Sequence, residues 1–183
     1  MSGQPAVALS ADVPYDEPGE RLAKLFDAHE DRLYSLARRL APSAADARDL
    51  VQETFLRAVQ SLKAVPKGFA KEEAWLVRVL VNIRRDQWRK SAVRRRSAAT
   101  LRANVTHPSN VESALMAKRA VWGALDVLRP RRRAIVVMHE LEGMSVVAIA
   151  SLLGLSAITV GWHLSMGRRD LKRALKPYIG EVA

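Results

Sequence analysis

The sequence predicts an all-α chain, two small helical domains joined by a flexible basic linker, the second containing a helix-turn-helix. Three observations carry this expectation. Apolar residues recur at three- and four-residue spacing along most of the 183 residues, and strand-like alternation is nearly absent. Two such blocks flank Ser91–Asn110, a stretch of little periodicity that holds Arg94, Arg95, Arg96, Arg102 and Pro108. The charge also changes abruptly: residues 1–83 carry 11 Lys+Arg against 12 Asp+Glu, and residues 84–183 carry 19 against 7, so the whole excess behind the net charge of +11 begins at Arg84. A step this sharp implies that one half faces a polyanion and the other does not.

The elements follow in order. Residues 1–19 contain Pro5, Pro14 and Pro18, several acids and no base, and are expected to form a disordered acidic tail. The first domain spans 20–90. A first helix over Glu20–Leu40 places Leu22, Leu25, Phe26, His29, Leu33, Leu36 and Leu40 on one stripe, with His29 expected as a satisfied core histidine. Pro42 and Ser43 break it. A second helix over Ala44–Leu62 turns Ala47, Leu50, Val51, Phe55, Ala58 and Val59 inward. Lys63–Ala70, with Pro66 and Gly68, is expected to be a loop, and a third helix runs over Lys71–Lys90 with Trp75, Leu76, Val79, Leu80 and Ile83 packed. Residues 91–110 form the linker, 111–177 the second domain and 178–183 a short tail. In the second domain Leu115, Val121, Trp122, Leu125 and Leu128 mark a helix ended by Pro130, and Arg131–Leu141 another, ended near Gly143.

Val146–Leu164, VVAIASLLGLSAITVGWHL, has the form of a helix-turn-helix. Val146, Ile149, Ala150 and Leu153 make one apolar set, and Ile158, Val160 and Leu164 a second. Ala150 is small where two helices cross, Gly154 suits a turn that needs positive φ, and Ser156 suits the cap of the next helix. That helix is expected to run to Leu175, before Pro177. In this motif the second helix enters a DNA major groove.

Hydrophobic content of 49% is ample for packed cores, and the absence of cysteine excludes disulfides and Cys-ligated zinc. The N-terminus lacks the basic start and apolar core of a signal peptide, and no apolar run approaches a membrane span. The expected location is therefore the cytoplasm, without stable membrane insertion. His29, His107, His139 and His163 are scattered, and no second His follows His139-Glu140 at zinc-protease spacing. Asp126, Glu140 and Glu142 could be drawn as an acid cluster, but helix-surface carboxylates are common. No Gly-rich phosphate loop or nucleophile elbow is present. No metal, cofactor or catalytic residue is expected, and the chain is expected not to be an enzyme.

Three segments in order resemble the sigma factors of bacterial transcription, specifically the extracytoplasmic-function group. DARDLVQETFLRA (Asp46–Ala58) is similar to the family's core-polymerase-binding helix. AWLVRVLVNIRRDQWRK (Ala74–Lys90) is similar to the segment that melts and captures the promoter hexamer nearest the start site. Ala124–Leu175 resembles the domain that binds the distal hexamer. The resemblance implies core RNA polymerase and promoter DNA, duplex and melted strand, as partners, and an anti-sigma factor that masks the free protein. The function it implies is promoter-specific initiation, with the chemistry left to the polymerase.

The residues support this reading in physical terms. Asp46, Asp49, Gln52, Glu53 and Arg57 lie roughly opposite the apolar stripe of the second helix, with the three acids in a row. A solvated face is the plain alternative; the resemblance instead implies docking on the polymerase through these residues with Leu50 and Leu56. Arg84, Arg85, Arg89 and Lys90 suit phosphates, while Asn82, Asp86, Gln87 and Trp88 suit exposed bases. The loop before that helix is a candidate pocket wall by resemblance. On the recognition helix, Ser156, Thr159, Trp162, His163, Ser165, Met166, Arg168 and Arg169 are candidates for readout and grip, with Arg129, Arg131, Arg132 and Arg133 nearby. The chain departs from the family at Ala148, Gly161, His163 and Met166, where members carry an acid or basic residues. Gly161 and Gly167 are each expected to cost about 1 kcal/mol of helix propensity. Two other functions remain open on sequence alone: a stand-alone helix-turn-helix regulator, and a sigma-like decoy that sequesters a regulator.

Overall fold

The computed structural model describes residues 18–97 and 113–179, and all the regular elements among them are helical. α1 (Pro18–Leu40) carries the expected stripe, with Leu25, His29, Leu33, Leu36 and Leu40 buried. α2 (Ala44–Gln60) is capped by Ser43, whose Oγ accepts from the Asp46 N–H at 3.1 Å. A 3-10 turn (Leu62–Ala64) and a bend at Gly68, φ 104°, lead into α3 (Phe69–Ser97). α4 (Ser113–Asp126) opens the second domain, and α5 (Pro130–Val136) starts on a proline at its first position. The helix then widens into a π turn (Val137–Leu141), closed by Glu142 N–H to Val137 C=O at 3.2 Å and by the His139 ring on the Met144 carbonyl at 2.8 Å. α6 (Val146–Leu153) and α7 (Ala157–Ile179) complete the helix-turn-helix.

α3 is the spine. One side packs on α1 and α2; the other packs on α5 and α6, while α1 also meets α5. The buried side chains of both domains accordingly form one continuous apolar cluster, from Leu25 to Leu164. The turn of the helix-turn-helix is as expected: Gly154 is left-handed at φ 65° and closes α6 by donating to the Ala150 and Ser151 carbonyls. A Cβ there would stand 3.2 Å from Nη1 of Arg78 on α3, so the turn lies against the first domain.

Several expectations need correction. Pro18 and Gly19, assigned to the tail, begin α1, and Phe69 and Ala70, assigned to the loop, begin α3. Leu62 belongs to the 3-10 turn rather than α2. Residues 91–97 are helical rather than linker, because Ser91–Ser97 contains no Gly or Pro and alanine and arginine favour helix. α7 passes through Pro177 to Ile179, losing one backbone bond near an exposed end instead of stopping. Phe26 and Val59, expected inward, are 38% and 49% exposed, and Ile158, grouped with the second apolar set of the motif, is 86% exposed. Ile158 is off the stripe because Val160, Leu164, Gly167 and Leu171 already complete one at helical spacing. The remaining acidic tail (1–17), the rest of the linker with the expected start of the second domain (98–112) and residues 180–183 lie outside the described residues.

Candidate functional site

The acidic row of α2 faces outward. Asp46 and Asp49 are exposed, and Glu53 is 44% exposed in an i,i+4 pair with Arg57 at 3.1 Å. Asp46 also receives the Ser43 hydroxyl at 2.5 Å, while Asp49 pairs with nothing among the described residues. Gln52 is exposed beside them and Leu56 is 55% exposed. Leu50 is fully buried: it holds the helix on the core and offers nothing to a partner, a correction to its expected role in docking. Phe26, its ring tilted against Phe55 at 4.7 Å, and Val59 add apolar surface near the acids. An acidic, partly apolar face of this kind suits a basic protein surface with apolar contacts at its centre.

The distal part of α3 divides into two kinds of cation. Arg84 donates from Nε to the Leu40 carbonyl at 3.0 Å and so ties α3 to the C-terminal end of α1, where a cation also complements the helix dipole. It was expected on a phosphate. Arg89, Lys90 and Gln87 are exposed, while Arg85, Asp86 and Trp88 are half-buried. Asn82 borders a groove of about 490 Å³ between α2 and α3, together with Glu53, Gln60, Ser61, Trp75 and Val79. The 63–70 loop, expected as a pocket wall, does not line it.

In the second domain Ser156 caps α7, accepting from the Thr159 N–H at 3.1 Å and sharing a hydroxyl contact with Thr159 at 2.8 Å. Trp162, Ser165, Arg168 and Arg169 are exposed, and His163 and Met166 half-buried. Arg168 pairs with Glu140 at 2.8 Å, and Arg132 pairs with Asp170 while lying over the Trp162 ring at 5.5 Å. Arg133, expected among the phosphate-gripping cluster, is 4% exposed, pairs with Asp126 and donates to the Arg39 carbonyl at 2.7 Å. It joins the domains instead. Ile158, 86% exposed in the first turn of α7, is an apolar side chain on the outer face that the spacing of the motif did not single out.

Asp126, Glu140 and Glu142 do not gather into an acid cluster: Asp126 serves Arg133, Glu140 serves Arg168, and Glu142 bridges the domains. Glu142 accepts from Arg32 at 3.1 and 2.7 Å and from Arg39 at 2.7 Å, with Arg32 also held by Glu73 at 3.0 Å. Burial alone would lower the Arg32 pKa, but the bonds and charges of Glu142 and Glu73 prevail and raise it. His29 is 1% exposed, with Nε2 3.5 Å from Glu72 and its ring on Phe69, yet its buried Nδ1 has no partner among the described residues, so it is only partly satisfied.

This packing brings the two nucleic-acid candidates face to face. Arg85, Trp88 and Arg89 of α3 share a cavity of about 240 Å³ with Arg129, Arg131 and Arg132 around the start of α5 and with Trp162 and His163 of α7. Burial and then the charges of Arg85 and Arg89 lower the Arg131 pKa; burial and then Arg132 and Arg131 lower that of His163. No single helix among the described residues is long and apolar enough to cross a membrane.

Comparison with known proteins supplies the family. Residues 25–94 match Sigma-70 region 2 and residues 118–171 match Sigma-70 region 4. The chain is 32% identical over 179 residues to the ECF RNA polymerase sigma factor SigE of Mycolicibacterium smegmatis, covering 92% of this chain and 69% of that protein. It is 34% identical over 148 residues to the RNA polymerase sigma-E factor of Streptomyces coelicolor, covering 80% and 81%. Among solved structures it resembles the sigma factor RpoE in complex with the anti-sigma factor NepR from Bartonella quintana, with TM-score 0.59 and 23% identity over 88% of this chain and 98% of that one. It also resembles CnrH in complex with the cytosolic domain of CnrY, with TM-score 0.57 and 25% identity over 87% and 90%. The likeness to RpoE is one of fold alone.

Proposed function

We infer the division of labour in this chain from its family: it belongs to the extracytoplasmic-function sigma factors, which bind core RNA polymerase and direct promoter-specific initiation. A stand-alone helix-turn-helix regulator would leave the Sigma-70 region 2 match without a purpose. Within that function the work divides among three surfaces. The α2 face of Asp46, Asp49, Gln52, Glu53, Leu56 and Arg57 docks on core polymerase. The observation that carries this is the exposure of the whole acidic row beside the apolar surface of Leu56 and Val59.

Asn82 and the groove beneath it take an extruded base, a step that costs a few kcal/mol of unstacking and so needs a waiting pocket. Arg85, Asp86, Gln87, Trp88, Arg89 and Lys90 hold the separated strand through phosphates and stacking. Ile158, Thr159, Trp162 and Ser165 face the distal hexamer, with Arg168, Arg169 and Arg131 on its phosphates. Ser156 acts through the cap it provides. We assign the two domains to 20–90 and 111–177, with α1 starting before the first at Pro18 and α3 running past it to Ser97.

Both strand-facing and duplex-facing surfaces meet across one cavity in the closed arrangement. Promoter engagement therefore requires the domains to separate, and an anti-sigma partner that holds them together would keep the factor silent. The chain supplies positioning and strand capture in the cytoplasm, and no catalytic role is assigned to it.

The test is run-off transcription from a library of upstream fragments with core polymerase. Adding this chain yields discrete transcripts absent with core alone. Asp49→Arg with Glu53→Arg abolishes them together with core binding, while the folded double variant keeps its DNA affinity. Undiminished core binding by that variant contradicts the proposal.

A further inference from the structure

We propose that the cavity between α3, α5 and α7 is a binding site for a small polyphosphate, two adjacent phosphoryl groups either free as pyrophosphate or carried by a nucleotide, and that its occupant clamps the two domains closed. The binding step stands on the cavity alone; only its regulatory consequence rests on the function proposed above.

The cavity is unusual in its charge. Arg85 and Arg89 enter from the first domain, and Arg129, Arg131, Arg132 and His163 from the second, with no carboxylate among the lining residues. Asp86 and Asp170 pair with Arg85 and Arg132 without lining it. Five guanidiniums drawn around 240 Å³ repel one another. Their hydrogen-bonding capacity is also incomplete: Arg85 Nε, Arg132 Nε and His163 Nδ1 are buried without a hydrogen-bond partner among the described residues. Arg85 Nε does lie 3.5 Å from Asp86 Oδ1, close enough for attraction but without hydrogen-bond geometry. Buried polar groups left unpaired are costly, and here two guanidinium donors and a ring nitrogen cluster on one cavity.

Shape and chemistry select the class of ligand. The planar guanidinium fork matches phosphate oxygens in pairs, and several forks around one space favour an anion with more than one phosphoryl group. A volume of 240 Å³ admits about eight waters' worth of ligand, at roughly 30 Å³ each. That accommodates a pyrophosphate group and excludes a duplex. A nucleoside attached to it would lie at the rim, where Trp162 is 54% exposed and Trp88 half-buried, both able to stack on a base. Because the cations come from both domains, a ligand held by all of them binds only the closed form and raises its weight by a factor of 1 + [L]/Kd, about 100-fold at 100 Kd. The same arginines and tryptophans include those assigned to promoter DNA, so ligand and promoter are mutually exclusive.

The experiment uses the full chain and pyrophosphate, with ATP as the second arm and inorganic phosphate as the single-phosphoryl control, at fixed ionic strength. Calorimetry is expected to give saturable 1:1 binding of pyrophosphate, at least tenfold tighter than phosphate. Arg85→Ala and Arg131→Ala, on opposite domains, each weaken it at least tenfold. Should either fail to fold by circular dichroism, Arg85→Lys and Arg131→Lys keep the charge, lose the fork and are expected to weaken binding several-fold. The chain has no cysteine, so spin labels at Ala45→Cys and Ser151→Cys report the distance between the domains. Saturating pyrophosphate is expected to narrow that distribution toward its short end. Tighter binding of ATP with quenching of tryptophan fluorescence assigns a nucleotide; equal binding assigns free pyrophosphate. Absence of saturable binding, binding indifferent to both substitutions, or an unchanged distance distribution at saturation overturns the proposal. So does a single-stranded oligonucleotide that binds alongside pyrophosphate without displacing it. None of these measurements includes polymerase, so their failure is distinct from a failure of run-off transcription, which bears on the sigma-factor function itself.

Discussion

Replacing Glu142 with glutamine should open the molecule. The carboxylate is 11% exposed and accepts three hydrogen bonds from two arginines of α1, at 3.1 and 2.7 Å from Arg32 and 2.7 Å from Arg39. Glutamine preserves the shape, removes the charge and turns one acceptor into a donor facing a guanidinium. Exposed ion pairs are worth about 0.2–1 kcal/mol, and breaking a buried one costs about 3–5 kcal/mol. A nearly buried acid against arginines 30% and 31% exposed falls between these limits, at about 2 kcal/mol. At 1.4 kcal/mol per factor of ten, that is roughly 30-fold in the ratio of closed to open molecules. Arg32 keeps its bond to Glu73, so α1 stays in place and the first domain stays folded. The spin-label pair on α2 and α6 reads the outcome directly: Glu142→Gln gains a long-distance population, and raised salt moves the original chain in the same direction by screening the pair. An unchanged distance distribution in the folded variant would refute the reasoning, because the interface would then rest on the apolar contacts of α3 with α5 and α6 and on the Arg133 bond to the Arg39 carbonyl.

The two helical glycines of α7 should respond oppositely to alanine. At Gly167 a Cβ would meet Val136 Cγ2 at 2.5 Å, so Gly167→Ala overpacks the α5–α7 contact by about 1–3 kcal/mol and lowers Tm, by calorimetry, roughly 2–4 °C per kcal/mol. At Gly161 a Cβ meets nothing within 4 Å, and Gly161→Ala stabilises α7 by about 1 kcal/mol in the same experiment. His163 has its pKa lowered by burial and by Arg132 and Arg131, so the unfolded chain binds its proton first as pH falls. The stability this neutral ring permits is present above the ordinary histidine pKa, near 6.5, and is lost as pH falls from there through the lower folded value. Urea titrations at pH 7.5 and 5.5 should show a drop that His163→Gln diminishes. Promoter binding by the holoenzyme should weaken with salt, and Arg169→Ala should flatten a log–log plot of affinity against salt by about one unit.

Local chemistry made most of the fold legible. Ser43 before Ala44, Gly154 after Leu153 and the three- and four-residue spacing of α1 and α2 each specify a helix or its end from a handful of adjacent residues. The acids of α2 were legible for the same reason, since one helix sets their exposure. What escaped was non-local. Arg84 and Arg133 look like any other cations of a basic run, and only the carbonyls of Leu40 and Arg39, brought in by folding, give them structural roles. Glu142 meets its arginines across more than a hundred residues, so no spacing rule connects them. Gly167 looked like a propensity penalty because the side chain that requires its smallness, Val136, belongs to another helix. The helical run through Ser91–Ser97 was masked by its charge, which suggests a tether although nothing in it ends a helix.

Hydrogen–deuterium exchange on the chain, free and bound to core polymerase, tests the central claim most directly. Core polymerase should slow exchange along α2 from Asp46 to Arg57 and speed it around Glu142 and Arg129–Arg132, as the outward acids are gripped and the two basic faces part. Unaltered exchange in α2, or deeper protection between the domains on binding, would contradict the account.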